Sequence, residues 1–282
     1  MEHFASGRKQ HYYGKGDVSV YRLRRDGRTP DAISPVFAAN VLMLVYGDAF
    51  WPTYATGDNT GLIATDSMKN FIQRETLAFA AQGLEDYCRF LAGKFLGLYA
   101  QVEGVQVTAN EIPYEALEGR SALVPSGPER ALARIELNRG GVVEVSSAIR
   151  GFRLLRLGGS AFHGFVRDEY TTLPEIRNRP LHMWLDLEWR YVSPDAAFTD
   201  GRVVSQARRV VTDVFQSFES GSIQQMIYQM GTTLLADIPE IAEVHLEANN
   251  RTWDTVTERG DEVGVFTDAR PPYGCLGLRL TR

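Results

Sequence analysis

The order of strand and helix patterns along the chain repeats, and this repeat restricts the possible folds more than any other feature. Two strand patterns, two amphipathic helix patterns and two further strand patterns occur in the first half and again in the second. The strand after each helix pair reads VQVTAN from Val105 and VHLEAN from Val244, which lie 244 − 105 = 139 residues apart in a chain of 282 residues. Self-similarity at that spacing indicates a duplicated domain.

Each repeat is predicted to be an α+β domain, with an antiparallel sheet and both helices on one face of it. The predicted helices cover residues 68–81, 84–98, 203–218 and 223–234. The boundary between the repeats is expected near Arg139, which gives domains 1–138 and 139–282. A small sheet leaves its edges and one apolar face uncovered, so we expect several copies to close into an oligomeric barrel.

The bulk composition favours a cytoplasmic enzyme or a small-molecule-binding protein. The formal net charge of −5 argues against nucleic acid or an anionic membrane surface as a partner. The only two cysteines, Cys88 and Cys275, lie far apart and lack the spacing of metal ligands, so neither a disulfide framework nor a metal site is predicted. The first 17 residues contain no apolar run typical of a signal peptide, and no run reaches the length of a membrane span.

The stretch GDNTGLIATDSMKN, from Gly57 to Asn70, is the first candidate for a binding site. It is predicted to pass from a short strand at 62–64 directly into a helix, with three good capping residues, Thr65, Asp66 and Ser67, at the helix start. Unpaired backbone N–H groups at such a corner suit an anionic or planar ligand. On its own, the pattern is more typical of an ordinary capped helix without a ligand.

A lysine flanked by glycines, Lys15 in YGKG, precedes the first predicted strand at 18–25. Glycine lets the backbone bend and leaves the ammonium group accessible. A solvated loop lysine would give the same local pattern, so the residues alone leave both interpretations open.

Four segments together resemble the urate oxidase (uricase) family, in order and over nearly the whole chain. These are YGKGDVSVYRL, IATDSMKN, GFVRDEYTTL and SIQQMIYQMG. The resemblance implies two tandem T-fold (tunnelling fold) domains per chain and a homotetramer around a tunnel, with each active site at a subunit interface. It also implies a reaction without metal or organic cofactor, in which the purine anion reduces O2 directly.

The resemblance further implies which side chains hold the substrate. Phe162 is expected to stack on the purine, while the Arg179 guanidinium and the Gln224 amide read opposite edges of the ring. The backbone N–H groups of Thr65 and Asp66 are expected to contact the ligand from the neighbouring subunit. The backbone of Ile223 is expected to add one contact.

The proton relay is where this sequence departs from the family pattern. Lys15 and Thr65 match the first two members of the relay, and Asn250 matches the residue that helps to hold O2 or water above the ring. The family's relay histidine corresponds to Thr252, and a hydroxyl does not take up charge near neutral pH as imidazole does. Of the five histidines, His163 is the only substitute that the sequence favours, because it adjoins Phe162.

Three functions therefore remain open at this point. The first is oxidation of urate to 5-hydroxyisourate and hydrogen peroxide, with a modified relay. The second is a similar reaction on another purine- or pterin-like heterocycle in a specialised pathway. The third is a paralogue that binds a purine without turning it over, which the joint retention of the six matched residues disfavours: Lys15, Thr65, Phe162, Arg179, Gln224 and Asn250.

Overall fold

A computed structural model describes residues 11–23, 36–117, 122–251, 253–260, 263–268 and 271–282. The chain divides into two compact units. The first unit comprises Met1–Gly127, Ala131–Ser147 and Ser193–Arg202, and the second comprises Pro128–Arg130, Ala148–Val192 and Val203–Arg282. The division of the sequence at residue 139 remains a prediction.

In its described residues, the first unit combines an antiparallel sheet with three α-helices. Its strands are β1 (Tyr13–Arg22), β2 (Phe37–Tyr46), β3 (Gly104–Glu111), the short pair β4 (Tyr114–Ala116) and β5 (Leu123–Pro125), and β6 (Arg130–Asn138). Its helices are α1 (Trp51–Thr56), α2 (Thr65–Glu75) and α3 (Leu84–Leu98). The sheet order β1-β2-β3-β6 follows the chain, and the successive pairs are antiparallel.

Alternation along the strands explains the core of this unit. Every second residue of β2, from Val41 through Met43 to Val45, is fully buried, and so are Val105 and Val107 on the paired strand β3. Helix α3 packs on β3, and its apolar stripe is likewise buried, as the three- and four-residue spacing predicts.

The second unit repeats this arrangement of strands and helices. Its elements are β7 (Gly141–Phe162, whose first residues belong to the first unit), β8 (Ile176–Tyr191), α4 (Arg202–Ser217), α5 (Ile223–Asp237), β9 (Ile241–Asn250), β10 (Thr255–Arg259), β11 (Val263–Phe266) and β12 (Gly274–Thr281). The strand order is β7-β8-β9-β12, and β10 and β11 form a separate hairpin. Helix α5 packs on β9 and β12. Both units thus have the α+β character and antiparallel pairing that the repeat predicts.

Three local predictions were wrong. Residues 62–64 do not form a strand, and α2 ends at Glu75 rather than continuing to residue 81, because a 3-10 turn at Thr76–Ala78 follows it. The residue pattern predicts two separate strands at 141–149 and 152–157, whereas β7 continues through Gly151. Gly151 adopts a φ of 72°, and its N–H donates to Asp186 Oδ1 at 2.8 Å, so the strand bends there without ending. Within the described parts of the chain, no helix combines the length and apolar character needed to cross a membrane.

Candidate active site

The start of helix α2 lacks the side-chain cap that the sequence predicted. The N-cap position is Ala64, which has no side chain that can accept a hydrogen bond, and Thr65 is already the first helical residue. Thr65, Asp66 and Ser67 are all exposed and form the first turn. The first amides of the helix are therefore not satisfied by an N-cap side chain, which leaves a corner suited to an external acceptor.

The Asp66 carboxylate is held by its own helix. Lys69 Nζ donates to Asp66 Oδ1 at 2.5 Å, and Asn70 Nδ2 donates to Oδ2 at 2.9 Å. The hydrogen bond and charge of Lys69, the Asn70 contact and the charge of Lys15 all lower the pKa of Asp66. The carboxylate thus stays ionised and faces residues of its own helix. The influence of Lys15 shows that its ammonium lies within electrostatic range of this corner.

Lys15 lies within strand β1 rather than in a loop before it. The residue is half-buried and pairs with Met43, and the register between β1 and β2 shifts between Lys15 and Val18. Asp17, inside this bulge, has a φ of 57°, and its Oδ1 accepts a hydrogen bond from Asn40 Nδ2 at 2.7 Å. The bulge puts both Lys15 and the buried Val18 opposite core-facing residues of β2.

Tyr13 connects the strand of Lys15 to the corner that precedes α2. Its hydroxyl oxygen accepts a hydrogen bond from the Ile63 N–H at 3.0 Å, and its ring packs edge-on against Phe50 with centroids 5.0 Å apart. Burial raises the pKa of Tyr13, an effect that the Ile63 hydrogen bond partly offsets. Tyr13 therefore remains a neutral phenol near pH 7.

In the second unit, three segments that carry predicted site residues are joined by hydrogen bonds. The Gly159 N–H donates to Asn178 Oδ1 at 2.8 Å, which joins the end of β7 to the residue before Arg179. The Ser220 N–H donates to the Gly159 carbonyl at 3.0 Å, and the Ala161 N–H donates to the Ser220 carbonyl at 2.7 Å. These bonds bring the end of β7, the start of β8 and the loop before α5 together.

Arg156 holds the same junction together through the hydrogen bonds of its guanidinium group. Its guanidinium donates to the carbonyls of Phe215 and Phe218 at 2.9 and 2.6 Å, which satisfies acceptors at the end of α4. It also donates to the Gly159 carbonyl at 2.5 Å and to Ser220 Oγ at 2.9 Å. A planar guanidinium with several fixed donors can hold such a set of acceptors, and a lysine cannot.

Phe162 and Gln224 are positioned by this junction. Phe162 is the last residue of β7, and its ring stacks on Phe165 with centroids 5.0 Å apart and an interplanar angle of 14°. Gln224 is exposed in the first turn of α5, where Ser222 caps the helix by accepting from the Gln225 N–H at 3.1 Å. Ile223 is buried, which fixes the helix start and its backbone.

Arg179 has an unsatisfied donor. Its Nε is buried and has no hydrogen-bond partner among the described residues, and burial lowers the pKa of its guanidinium. Arg179 lines a cavity of about 220 Å³ together with eight other residues of the second unit: Ile176, Asn178, Pro180, His182, Trp253, Thr255, Glu258 and Phe266. Phe162, Gln224, Ile223 and Asn250 are not among the lining residues.

Asn250 is the last residue of β9 and pairs with Met183 on β8 and Gly274 on β12. Because Met183 is fully buried on the helix-bearing face, cross-strand pairing directs the Asn250 side chain to the same face. Thr252, the predicted relay residue, lies outside the described residues. Among the described residues, no group of three or more His, Cys, Asp or Glu side chains could hold a metal ion.

Comparison with known proteins identifies the family. The uricase family profile matches residues 145–276. A uricase of Haloferax volcanii is 36% identical over 96% of this chain and 97% of its own length. The chain belongs to the uricase family. The uric acid degradation bifunctional protein PucL of Bacillus subtilis is 35% identical over 96% of this chain, but the chain spans only 60% of that relative's length.

The fold agrees with that of solved uricases. The crystal structure of a uricase from Bacillus fastidious superimposes with a TM-score of 0.85 at 32% identity, covering 98% of this chain and 94% of the other. A urate oxidase structure from Bacillus sp. TB-90 gives a TM-score of 0.84 at 34% identity, covering 97% of this chain. The α+β fold with antiparallel sheets is therefore the uricase fold.

Two residues near the uricase-family segments were missed by the sequence reasoning. Tyr13 carries a detectable signal, because it precedes Lys15 by two residues and so shares its side of a strand. From the sequence alone, His182 is interpreted as an ordinary surface or core histidine. Its carbonyl accepts from the Arg251 N–H at 2.9 Å, and its ring lies edge-on to Trp253 at 5.7 Å, so it holds both neighbours of position 252. His163, the favoured substitute, is exposed.

His182 also carries an unpartnered nitrogen. Its Nε2 accepts from Trp184 Nε1 at 3.3 Å, so the neutral ring carries its proton on Nδ1, which is buried without a partner among the described residues. Burial and the charge of Arg153 lower the pKa of His182, the charge of Asp268 opposes them, and that of Arg251 adds to the lowering.

Proposed function

We propose that this chain, a member of the uricase family of oxidoreductases, oxidises urate with O2 to 5-hydroxyisourate and hydrogen peroxide, without a metal or organic cofactor. The observation that carries the proposal is the hydrogen-bonded junction of Gly159, Asn178 and Ser220. It joins the segments of Phe162, Arg179 and Gln224, which come from three separate parts of the sequence. A flat, oxygen-rich heterocycle needs one stacking surface and donors at its edges, and these three side chains provide them.

The proposed binding mode assigns a role to each group. Phe165 covers one face of the Phe162 ring, so urate stacks on the other. Arg179 directs its donors, including the unpartnered Nε, to an oxygen and nitrogen edge of urate. Gln224 offers a donor and an acceptor side by side to the opposite edge, next to the Ile223 backbone.

The remaining groups come, in this proposal, from the neighbouring subunit of a homotetramer built from tandem T-fold domains. The backbone N–H groups of Thr65 and Asp66 stand at an α2 terminus that no side chain caps, where the helix dipole favours an anionic ligand. Lys15 lies close enough to lower the pKa of Asp66, so its ammonium also favours the urate anion at this corner.

The chemical balance requires the protein to move protons and stabilise charge. Urate gives two electrons to O2, water adds to C5, and two protons leave with the reduced oxygen as hydrogen peroxide. Asn250 holds O2 or water above the ring, and Lys15, Thr65 and Thr252 form the relay that carries the protons. Thr252 passes protons through its hydroxyl and does not become charged, which makes this a modified relay. The cytoplasmic location expected from the sequence belongs to the same proposal.

Aerobic turnover of urate tests the proposal directly. Purified protein in the presence of a chelator is expected to remove the ultraviolet absorbance of urate and to produce one hydrogen peroxide per urate. If calorimetry shows tight urate binding without any turnover, the proposal is wrong and the chain is a purine-binding paralogue. Turnover of another purine or pterin with urate left intact would assign the pocket to a different heterocycle.

A further inference from the structure

The relay groups Lys15 and Thr65 lie on β1 and α2, which pack on each other, and a hydrogen bond to the Tyr13 hydroxyl links β1 to the residues just before α2. Tyr13 stands two residues before Lys15 on β1, and both pair with buried residues of β2, so their side chains share the core face of the strand. The Tyr13 oxygen accepts from the N–H of Ile63, which stands two residues before Thr65. The strand that bears the lysine is thus bonded directly to the corner that bears the threonine.

In the described part of the chain, no side chain caps the start of α2. The N-cap residue is Ala64, and it makes no side-chain hydrogen bond. In most helices a Ser, Thr, Asp or Asn at this position fixes the entry of the chain. Here the entry is fixed one residue earlier, by the buried side chain of Ile63 and by the bond from its N–H to Tyr13.

The Tyr13 hydroxyl itself is held rigidly. Its ring is packed edge-on against the fully buried Phe50, and this contact restricts the movement of the Tyr13 side chain. A residue that acted only as a spacer would not need a hydroxyl, because phenylalanine would make the same ring contact. The hydroxyl is needed to satisfy the Ile63 N–H, which is otherwise left without a side-chain partner.

We infer that Tyr13 is a positioning residue for the proton relay, which holds Thr65 at the distance from Lys15 that proton transfer requires. The inference rests on the proposed function. Tyr13 acts through the backbone of Ile63 and through its own strand, and it does not itself exchange protons with the substrate. Small displacements between proton donor and acceptor slow proton transfer strongly, whereas substrate held by Phe162, Arg179 and Gln224 is bound much as before.

The test compares Tyr13→Phe with two controls in urate oxidation. Tyr13→Phe is expected to lower kcat about tenfold, to change KM less than about twofold, and to raise the solvent deuterium isotope effect on kcat, because proton transfer becomes slower. Tyr21→Phe, the same change farther along β1, is expected to keep wild-type kinetics. Phe50→Leu loosens the same corner but keeps the hydroxyl, and it is expected to lower the melting temperature without raising the isotope effect.

The outcomes separate the two proposals. If the wild type does not oxidise urate, the proposed function fails and the inference fails with it. If the wild type is active and Tyr13→Phe shows an unchanged kcat and isotope effect, only the inference on Tyr13 is overturned. The same holds if Phe50→Leu shows the lowered kcat and raised isotope effect that are expected of Tyr13→Phe.

If Tyr13→Phe does not fold, 3-fluorotyrosine at position 13 keeps the ring and weakens the hydroxyl oxygen as an acceptor. A lowered kcat with a raised isotope effect then supports the inference, and wild-type kinetics overturns it.

Discussion

Asn178 accepts the Gly159 N–H at 2.8 Å, and this bond connects the strand of Arg179 to the end of the strand that carries Phe162. Gly159 has a φ of 75°, a left-handed conformation that glycine adopts without strain. The bond therefore fixes the locally bent end of β7 against the start of β8. The relative position of the stacking ring and the guanidinium depends on it.

Replacing Asn178 by alanine is expected to weaken substrate binding more than it slows the chemistry. The Gly159 N–H loses its acceptor at a solvent-exposed site, at a cost of about 0.5–1.5 kcal/mol, and part of this cost appears as a less defined position of Phe162. We expect KM for urate to rise about fivefold, with kcat lowered less than about twofold. Steady-state kinetics measures both, and Asn110→Ala in the first unit is the matched control. A lowered kcat with KM unchanged would contradict this role of Asn178.

Arg179→Lys is expected to lower kcat/KM for urate by at least about a hundredfold, although the positive charge is retained. A lysine offers one ammonium in place of a planar fork, so it cannot donate to two neighbouring acceptors of the same edge. Arg177→Lys, an exposed neighbour two residues earlier, is the control and should keep wild-type kinetics. If Arg179→Lys retains more than about half of the wild-type kcat/KM, Arg179 does not bind the substrate as a fork.

Thr252→His tests the modified relay. An imidazole at this position can accept a proton near neutral pH, and a general base typically contributes two to four orders of magnitude in rate. We expect urate turnover to rise about a hundredfold, measured as initial rate at pH 8. Thr257→His, at an exposed position of the hairpin strand β10 outside the cavity of Arg179, should leave the rate unchanged. An equal or lower rate in Thr252→His would show that the relay does not pass through this position.

His182 is expected to make stability depend on pH. Burial and the charge of Arg153 lower its pKa in the folded state below the value of about 6.5 in the unfolded chain. The unfolded state therefore binds the proton more readily, and the free energy of unfolding falls as pH decreases below about 6.5 toward the folded pKa. His182→Asn removes this titration, so its melting temperature should fall less than that of the wild type between pH 7.5 and pH 5. An identical fall in both proteins would contradict the lowered pKa.

Most of the helices and strands could be predicted because their signal is local. Helix α3 matches its predicted bounds, since its apolar residues recur at three- and four-residue spacing. The single long strand β7 could not be predicted, because Gly151 has the appearance of a strand end in the sequence. Its N–H is satisfied by Asp186, which lies 35 residues later in the chain.

The candidate site was named through resemblance rather than local pattern, and the structure shows why. The bond between Tyr13 and Ile63 joins residues 50 positions apart, and that between His182 and Arg251 joins β8 to the residue just after β9. Neither hydrogen bond produces a recognisable pattern in the spacing of nearby residues. The predicted caps at Thr65–Ser67 failed because Ala64 occupies the N-cap position and Thr65 is already the first helical residue.

A mixture of two inactive variants tests most directly whether each site is shared between subunits. Lys15→Met disables the groups on the first unit, and Arg179→Ala disables those on the second. Suppose each site combines the first unit of one subunit with the second unit of its neighbour. About a quarter of the sites in mixed tetramers made by co-expression are then intact. We predict that the mixture regains about a quarter of wild-type urate oxidation, although each variant alone is inactive. Mixed tetramers that remain as inactive as the separate variants would contradict the shared site.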